Sequence, residues 1–188
     1  MTSIEARDLA TKLLWAHPLR LQHVEAVAKL AKELAIHYGI NPEKAMVAAY
    51  LHDATKYLSP EETSRYLQKE VVPDHLIPEF VHAYSAAGLA QDQGVKDPEI
   101  LNAIRYHTSG RPQMAMLEKI VFLADYAEET RGFDNLKVRQ VAFENLDEAI
   151  ILTLQEILSF LASRGKPIDR SSQATLESYL SLRNGGNS

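Results

Sequence analysis

The sequence predicts an all-α fold, a single domain built as a helical bundle, on three observations. Helix starts recur with one grammar: an N-capping residue, a proline at the first helical position and a carboxylate in the first turn, as in NPEK at 41, SPEE at 59 and DPEI at 97. Between such marks the apolar spacing is that of a helix face, Val24, Val27, Leu30, Ala31 and Leu34 in one segment, Ile150, Leu154, Ile157, Leu158 and Leu161 in another. No segment alternates with period two.

The first helix is expected near 3–14, and the second, which carries the first stripe and stops before Gly39, near 18–38. NPEK opens a third over 42–58 and SPEE a fourth over 60–69. A fifth, near 78–92, is closed by Gly94, and DPEI opens a sixth over 98–107. Helices near 114–129, 137–145, 147–164 and 171–182 complete the set, with Gly165 after the second stripe. With 188 residues and 46% apolar content, these elements make one domain over 1–183. The tail NGGNS, 184–188, is expected to be disordered.

Composition narrows the chemistry. The chain has no cysteine, so there is no disulfide framework and any metal must be held by imidazole and carboxylate, which points to a hard or borderline ion. No window reaches about 18 uninterrupted apolar residues. The opening MTSIEARDLATKLL places Glu5 and Asp8 where a signal peptide would be basic, so a cytoplasmic protein that neither spans nor binds a membrane is expected. A net charge of −5 argues against gripping long nucleic acids and leaves room for a local basic pocket that takes a phosphorylated small molecule. A homodimer is compatible with the sequence.

Six ionisable residues occupy positions where apolar ones belong. His23 lies on the stripe of Val27, Leu30 and Leu34. His82 shares a face with Ser85, Ala86 and Leu89, and His107 ends the stripe of Ile100, Ala103 and Ile104. Asp125 follows Val121 and Phe122, and His52-Asp53 stand at the inner end of AAYLHDATKYL. One histidine on an apolar face is ordinarily a satisfied core residue. Six together are different, because a buried unpaired aspartate costs several kcal/mol and no Lys or Arg occupies the core positions of these helices. A metal ion supplies the missing charge, and two imidazoles with two carboxylates suit octahedral iron or manganese better than tetrahedral zinc. Helical neighbours diverge by about 100°, so His52 and Asp53 could grip one ion from two sides.

The ordered series His23, His52-Asp53, Asp125 resembles the HD-domain superfamily of metal-dependent phosphohydrolases, and more closely the YqeK family of symmetrical diadenosine tetraphosphate hydrolases. The matching text is RLQHVEAVAKLAKELA, AAYLHDATKY, HAYSAAGLA, AIRYHTSGRPQM and LEKIVFLADYAEETR, from Arg20 to Arg131. The chain departs from the pattern at Ala54-Thr55. The resemblance implies an HD-domain helical bundle with a metal site between its helices, and an iron held by His23, His52, Asp53 and Asp125 with a nucleoside diphosphate beside it. Manganese or another divalent metal is the alternative. It leaves two roles for His82 and His107: contact with phosphate oxygens beside a single iron, which we expect, or ligation of a second metal bridged by Asp53.

Arg20 lies one turn before His23, Lys56 one turn after His52-Asp53, and Arg131 just past Asp125, so each can reach the metal and is assigned to phosphate. Thr108 and Arg111, in the HTSGRP loop, are assigned to the substrate as well. His17, His37 and His75 read as structural or surface residues, and Trp15 and the tyrosines as core or pocket wall. The expected chemistry is metal-assisted hydrolysis of diadenosine tetraphosphate to two ADP. Asp53 orients water activated towards a pKa of ~7, and His82 or His107 protonates the departing ADP. The alternatives are a nucleoside monophosphate phosphatase, a guanosine tetraphosphate hydrolase and a non-catalytic nucleotide sensor. The last predicts eroded ligands, and every expected ligand is present.

Overall fold

The computed structural model describes residues 1–133 and 135–185. These residues form ten α-helices and one 3-10 turn, Pro78–Phe80, with no strand among them. In chain order the helices are α1 (Ser3–Leu14), α2 (Pro18–His37), α3 (Pro42–Leu51), α4 (Pro60–Leu67), α5 (Val81–Asp92), α6 (Pro98–Arg105), α7 (Met116–Ala127), α8 (Leu136–Glu144), α9 (Leu146–Ser163) and α10 (Arg170–Gly185).

The expected starts form as written. Asn41 accepts hydrogen bonds from the amides of Glu43 and Lys44, Asp97 accepts from that of Glu99, and Ser59 and Glu62 close a reciprocal capping box. Gly39, Gly94 and Gly165 take positive φ just past α2, α5 and α9. The third helix departs most from expectation. It ends at Leu51 rather than 58, and residues 52–58 continue as tight turns closed from Ala54 to Leu51, Lys56 to Asp53 and Leu58 to Thr55. The last helix runs through Gly185, into the stretch expected to be a disordered tail, and the remaining tail residues, 186–188, lie outside those described. Trp15, read as core or pocket wall, is 77% exposed, because the residue that α1 buries at this end is its neighbour Leu14.

The core is centred on α2, α3 and α7, with α1 and α6 packed on α3 and α9 on α7. Both helices bury many small residues, Ala28, Ala31 and Ala35 of α2 and Ala45, Ala48 and Ala49 of α3 among them, and α2 packs against α3. Outside this core α4 lies across α5 at Gly88, where an added Cβ would collide with the Tyr66 carbonyl. No described helix is long and apolar enough to cross a membrane.

Candidate metal centre

Four imidazoles converge on two carboxylates where α2, the end of α3, the start of α5, the end of α6 and α7 meet. The backbone fixes how three of the rings are turned. Nδ1 of His52, His82 and His107 lies 2.6, 2.8 and 2.7 Å from the carbonyl oxygen three residues earlier, of Ala49, Glu79 and Ile104 respectively. A carbonyl only accepts, so each Nδ1 donates and Nε2 is left to face the centre. His23 reaches the same result differently, with Nδ1 2.9 Å from Oε1 of the buried Glu128.

The Nε2 atoms then crowd the two aspartates. His23 Nε2 is 3.0 Å from Asp125 Oδ1 and 3.9 Å from Asp53 Oδ2, while His52 Nε2 is 3.4 Å from Asp53 Oδ2 and 3.7 Å from Asp125 Oδ1. Close as they are, the buried Nε2 atoms of His23 and His52 make no hydrogen bond. Buried ring nitrogens aimed at carboxylate oxygens yet bonded to none are what a cation between them requires. The donor set fits a divalent metal ion: His23, His52 and Asp125 form one group of mutually close ligand atoms, and His52, Asp53 and His107 another.

His52 and Asp53 do not grip from a helix, as expected, but from the turn that follows α3. Thr55 holds that turn in place, donating to the His82 carbonyl at 2.9 Å and meeting Ser85 Oγ at 2.7 Å. A second expectation is also corrected. The aspartates are not without basic neighbours, because the long side chains of Arg20, Lys56 and Arg131 reach in from beyond the core faces. Arg20 donates to Asp53 Oδ2 at 2.8 Å, Lys56 to Asp53 Oδ1 at 3.1 Å, and Arg131 to Asp125 Oδ1 at 2.6 Å. Burial pushes the Asp53 carboxyl up, but the charges of His52 and Lys56 and the His82 hydrogen bond outweigh it and hold it well below the carboxylate range. At Asp125 burial is likewise outweighed, by His23 and Arg131. Burial, with the rings of His52 and His82 alongside, pushes His107 well below the histidine range.

Two cavities open on the centre. One, of about 420 Å³, is lined by Arg20, His23, Tyr57, Glu128, Thr130 and Arg131, and the Tyr57 ring is stacked on His17 with centroids 3.7 Å apart. The other, of about 390 Å³, meets the centre at Lys56 and His82. His107 is different: its side chain is 1% exposed and its Nε2 lies 3.3 Å from His82 Nε2 and 3.8 Å from Asp53 Oδ1. Of the two, His82 lines a cavity, and the buried His107 stands behind it. Arg111 is not brought to the centre; it pairs with Glu118 and lines a third cavity together with His75. Thr108 follows His107, but its hydroxyl is buried without a partner. Sequence reasoning missed Glu128 and Thr55. The only signal for Glu128 was its place in EETR immediately after the helix of Asp125.

A bundle that gathers His23, His52-Asp53 and Asp125 in this order is that of the HD domain, whose family model matches residues 20–130, and the chain belongs to that family. Within it, the chain is 40% identical over 154 residues to a symmetrical bis(5'-nucleosyl)-tetraphosphatase of Bacillus subtilis, covering 79% of this chain and 83% of the relative. It is 37% identical over 166 residues to the protein of that description from Halalkalibacterium halodurans, covering 86% and 89%. The crystal structure of a Clostridium acetobutylicum protein, described as a predicted HD superfamily hydrolase involved in NAD metabolism, superposes with a TM-score of 0.85 at 28% identity, over 97% of this chain and 98% of that one.

Proposed function

We propose that the chain hydrolyses diadenosine tetraphosphate symmetrically to two ADP, with iron, or failing that manganese, held by His23, His52, Asp53 and Asp125. The observation that carries the reading is the pair of buried, unbonded Nε2 atoms of His23 and His52 beside two carboxylates, with guanidinium groups at the rim. The names of the relatives supply the substrate class. The reading carries with it a cytoplasmic location, where nucleotides are found.

When bound, the cation supplies Lewis-acid charge to the phosphoryl group and acidifies water. The protein's residues do the rest. Arg20 and Arg131 clamp phosphoryl oxygens and gain most as charge develops in the transition state. Asp53 orients the attacking water. The water oxygen bonds to the second phosphorus from the held nucleoside and gives up a proton to solvent, the anhydride bond beyond that phosphorus breaks, and the departing oxygen leaves with the other half, taking a proton from His82, which solvent then restores.

Chromatography of early products tests the reading. Diadenosine tetraphosphate should give ADP alone, and diadenosine pentaphosphate ADP plus ATP, because one fixed pocket counts two phosphates from its end. AMP with ATP from the tetraphosphate would overturn the symmetrical assignment.

A further inference from the structure

The substrate proposed above has two nucleoside ends, and the centre has two cavities. The segment 52–58 is the ridge between them: Tyr57 lines the first, while Thr55, Lys56 and Leu58 line the second. Asp53 sits on this ridge with Arg20 on one carboxylate oxygen and Lys56 on the other, at 2.8 and 3.1 Å. A polyphosphate lying across Asp53 would therefore meet a cation from each cavity.

The two cavities differ in kind. The first offers two guanidinium groups and the aromatic face of Tyr57, a holding site for a nucleoside diphosphate. The second offers one ammonium and one imidazole at its inner end. Further out come the aliphatic wall of Leu58 and Val81 and the hydroxyls of Thr63 and Ser64, with no carboxylate and no aromatic ring beyond His82. Its outer wall is α4, which the Gly88 contact seats on α5.

Resting on the reading above, we infer that the second cavity receives the leaving nucleoside of the substrate. Lys56 and His82 meet its phosphates, Leu58 and Val81 pack on the base, and Thr63 and Ser64 bond its polar edge. Weak, non-stacking contacts suit a group that must depart after cleavage, whereas the first cavity retains its half through guanidinium pairs and stacking.

Filling the second cavity tests this. Helix α4 buries none of its residues, so Ser64→Trp should fold, which circular dichroism checks. The variant should raise KM for diadenosine tetraphosphate at least tenfold while leaving the inhibition constant of added ADP, which occupies the first cavity, within twofold of wild type. Tyr57→Ala should instead raise both. If Ser64→Trp raises both constants, or neither, the leaving half lies elsewhere and the inference is wrong. A wild-type protein that makes no ADP from diadenosine tetraphosphate would overturn the functional reading itself, a result visible before any variant is made.

Discussion

The six residues HTSGRP carry two opposite fates for polar groups within one loop. At the first residue, His107 has its Nδ1 tied to Ile104 and its Nε2 turned towards Asp53 and His82, partners it does not neutralise. Four residues on, Arg111 puts Nε and Nη2 on the two oxygens of buried Glu118, both at 2.7 Å, and lies over the Tyr106 ring at 5.1 Å. Gly110 makes the switch between them. Its φ of +63 turns the chain, and an added Cβ would stand 2.9 Å from Thr175 Cγ2. Both ends are built from basic side chains and carboxylates, so residue type does not mark the functional one. Unsatisfied bonding capacity does: the Arg111 end is a closed ion pair, and the His107 end belongs to a cluster that needs a cation.

Removing a ligand gives the largest expected effect. His52→Ala and Asp53→Ala should each lose bound metal, by elemental analysis after dialysis, and lose hydrolysis entirely, while the helical circular dichroism signal stays. The histidine variant is the sharper test. Were the cluster only an ion-pair network of Asp53, Asp125, Arg20, Lys56 and Arg131, deleting the His52 ring would leave those pairs standing. Wild-type hydrolysis by that variant, or by chelator-stripped protein, would erase the contrast between the two ends of the loop.

At the closed end the effect belongs to stability. Arg111→Ala leaves the buried Glu118 carboxylate without its half-exposed partner, at a cost of about 1–2 kcal/mol after solvent screening of the guanidinium, which denaturant unfolding should show. Because Arg111 lies apart from the cluster, the folded variant should keep its metal and its turnover at temperatures well below its melting transition. A folded, metal-loaded Arg111→Ala protein with tenfold weaker hydrolysis would return this residue to the substrate site.

How much of this could be read beforehand depended on where each residue stands relative to a helix end. His23, His82 and Asp125 lie within helices, where the 3.6-residue period fixes side-chain direction, and the apolar stripes assigned them inward. His52-Asp53, His107, Glu128 and Arg111 all lie outside the helices, where side-chain direction no longer follows from periodicity; His107 was read inward as the end of the α6 stripe, although that helix closes at Arg105. LHDATKYL contains no glycine or proline to announce that α3 stops at Leu51. The direction of His52 is set instead by its own bond to the Ala49 carbonyl and by Thr55 reaching across to α5. Glu128 was missed, and Arg111 was assigned to the substrate whereas the structure pairs it with Glu118, for one reason: a charged residue in a loop looks the same in sequence whether its partner is a ligand ring or another charge.

The smallest expected effect falls on Glu128, the residue that joins the two kinds of behaviour. It is buried, yet fully engaged: Oε1 meets His23 Nδ1 at 2.9 Å and the Thr130 hydroxyl at 2.9 Å, and Oε2 accepts from the Thr130 amide. Asn135 holds the Glu128 carbonyl at 2.9 Å, so the loop after α7 is fixed at both the backbone and the side chain. The carboxylate therefore orients the His23 ring without touching the metal position itself. Glu128→Gln removes the charge and sets an amide NH2 against either the Thr130 amide or the His23 ring. The expected loss is about tenfold in metal affinity, measured by competition with a chelator, with helical content unchanged. Metal affinity equal to wild type would mean that His23 needs no carboxylate behind it. A loss as complete as that of His52→Ala would mean that Glu128 is itself a ligand, and the closed bonding observed around it would no longer separate support from site.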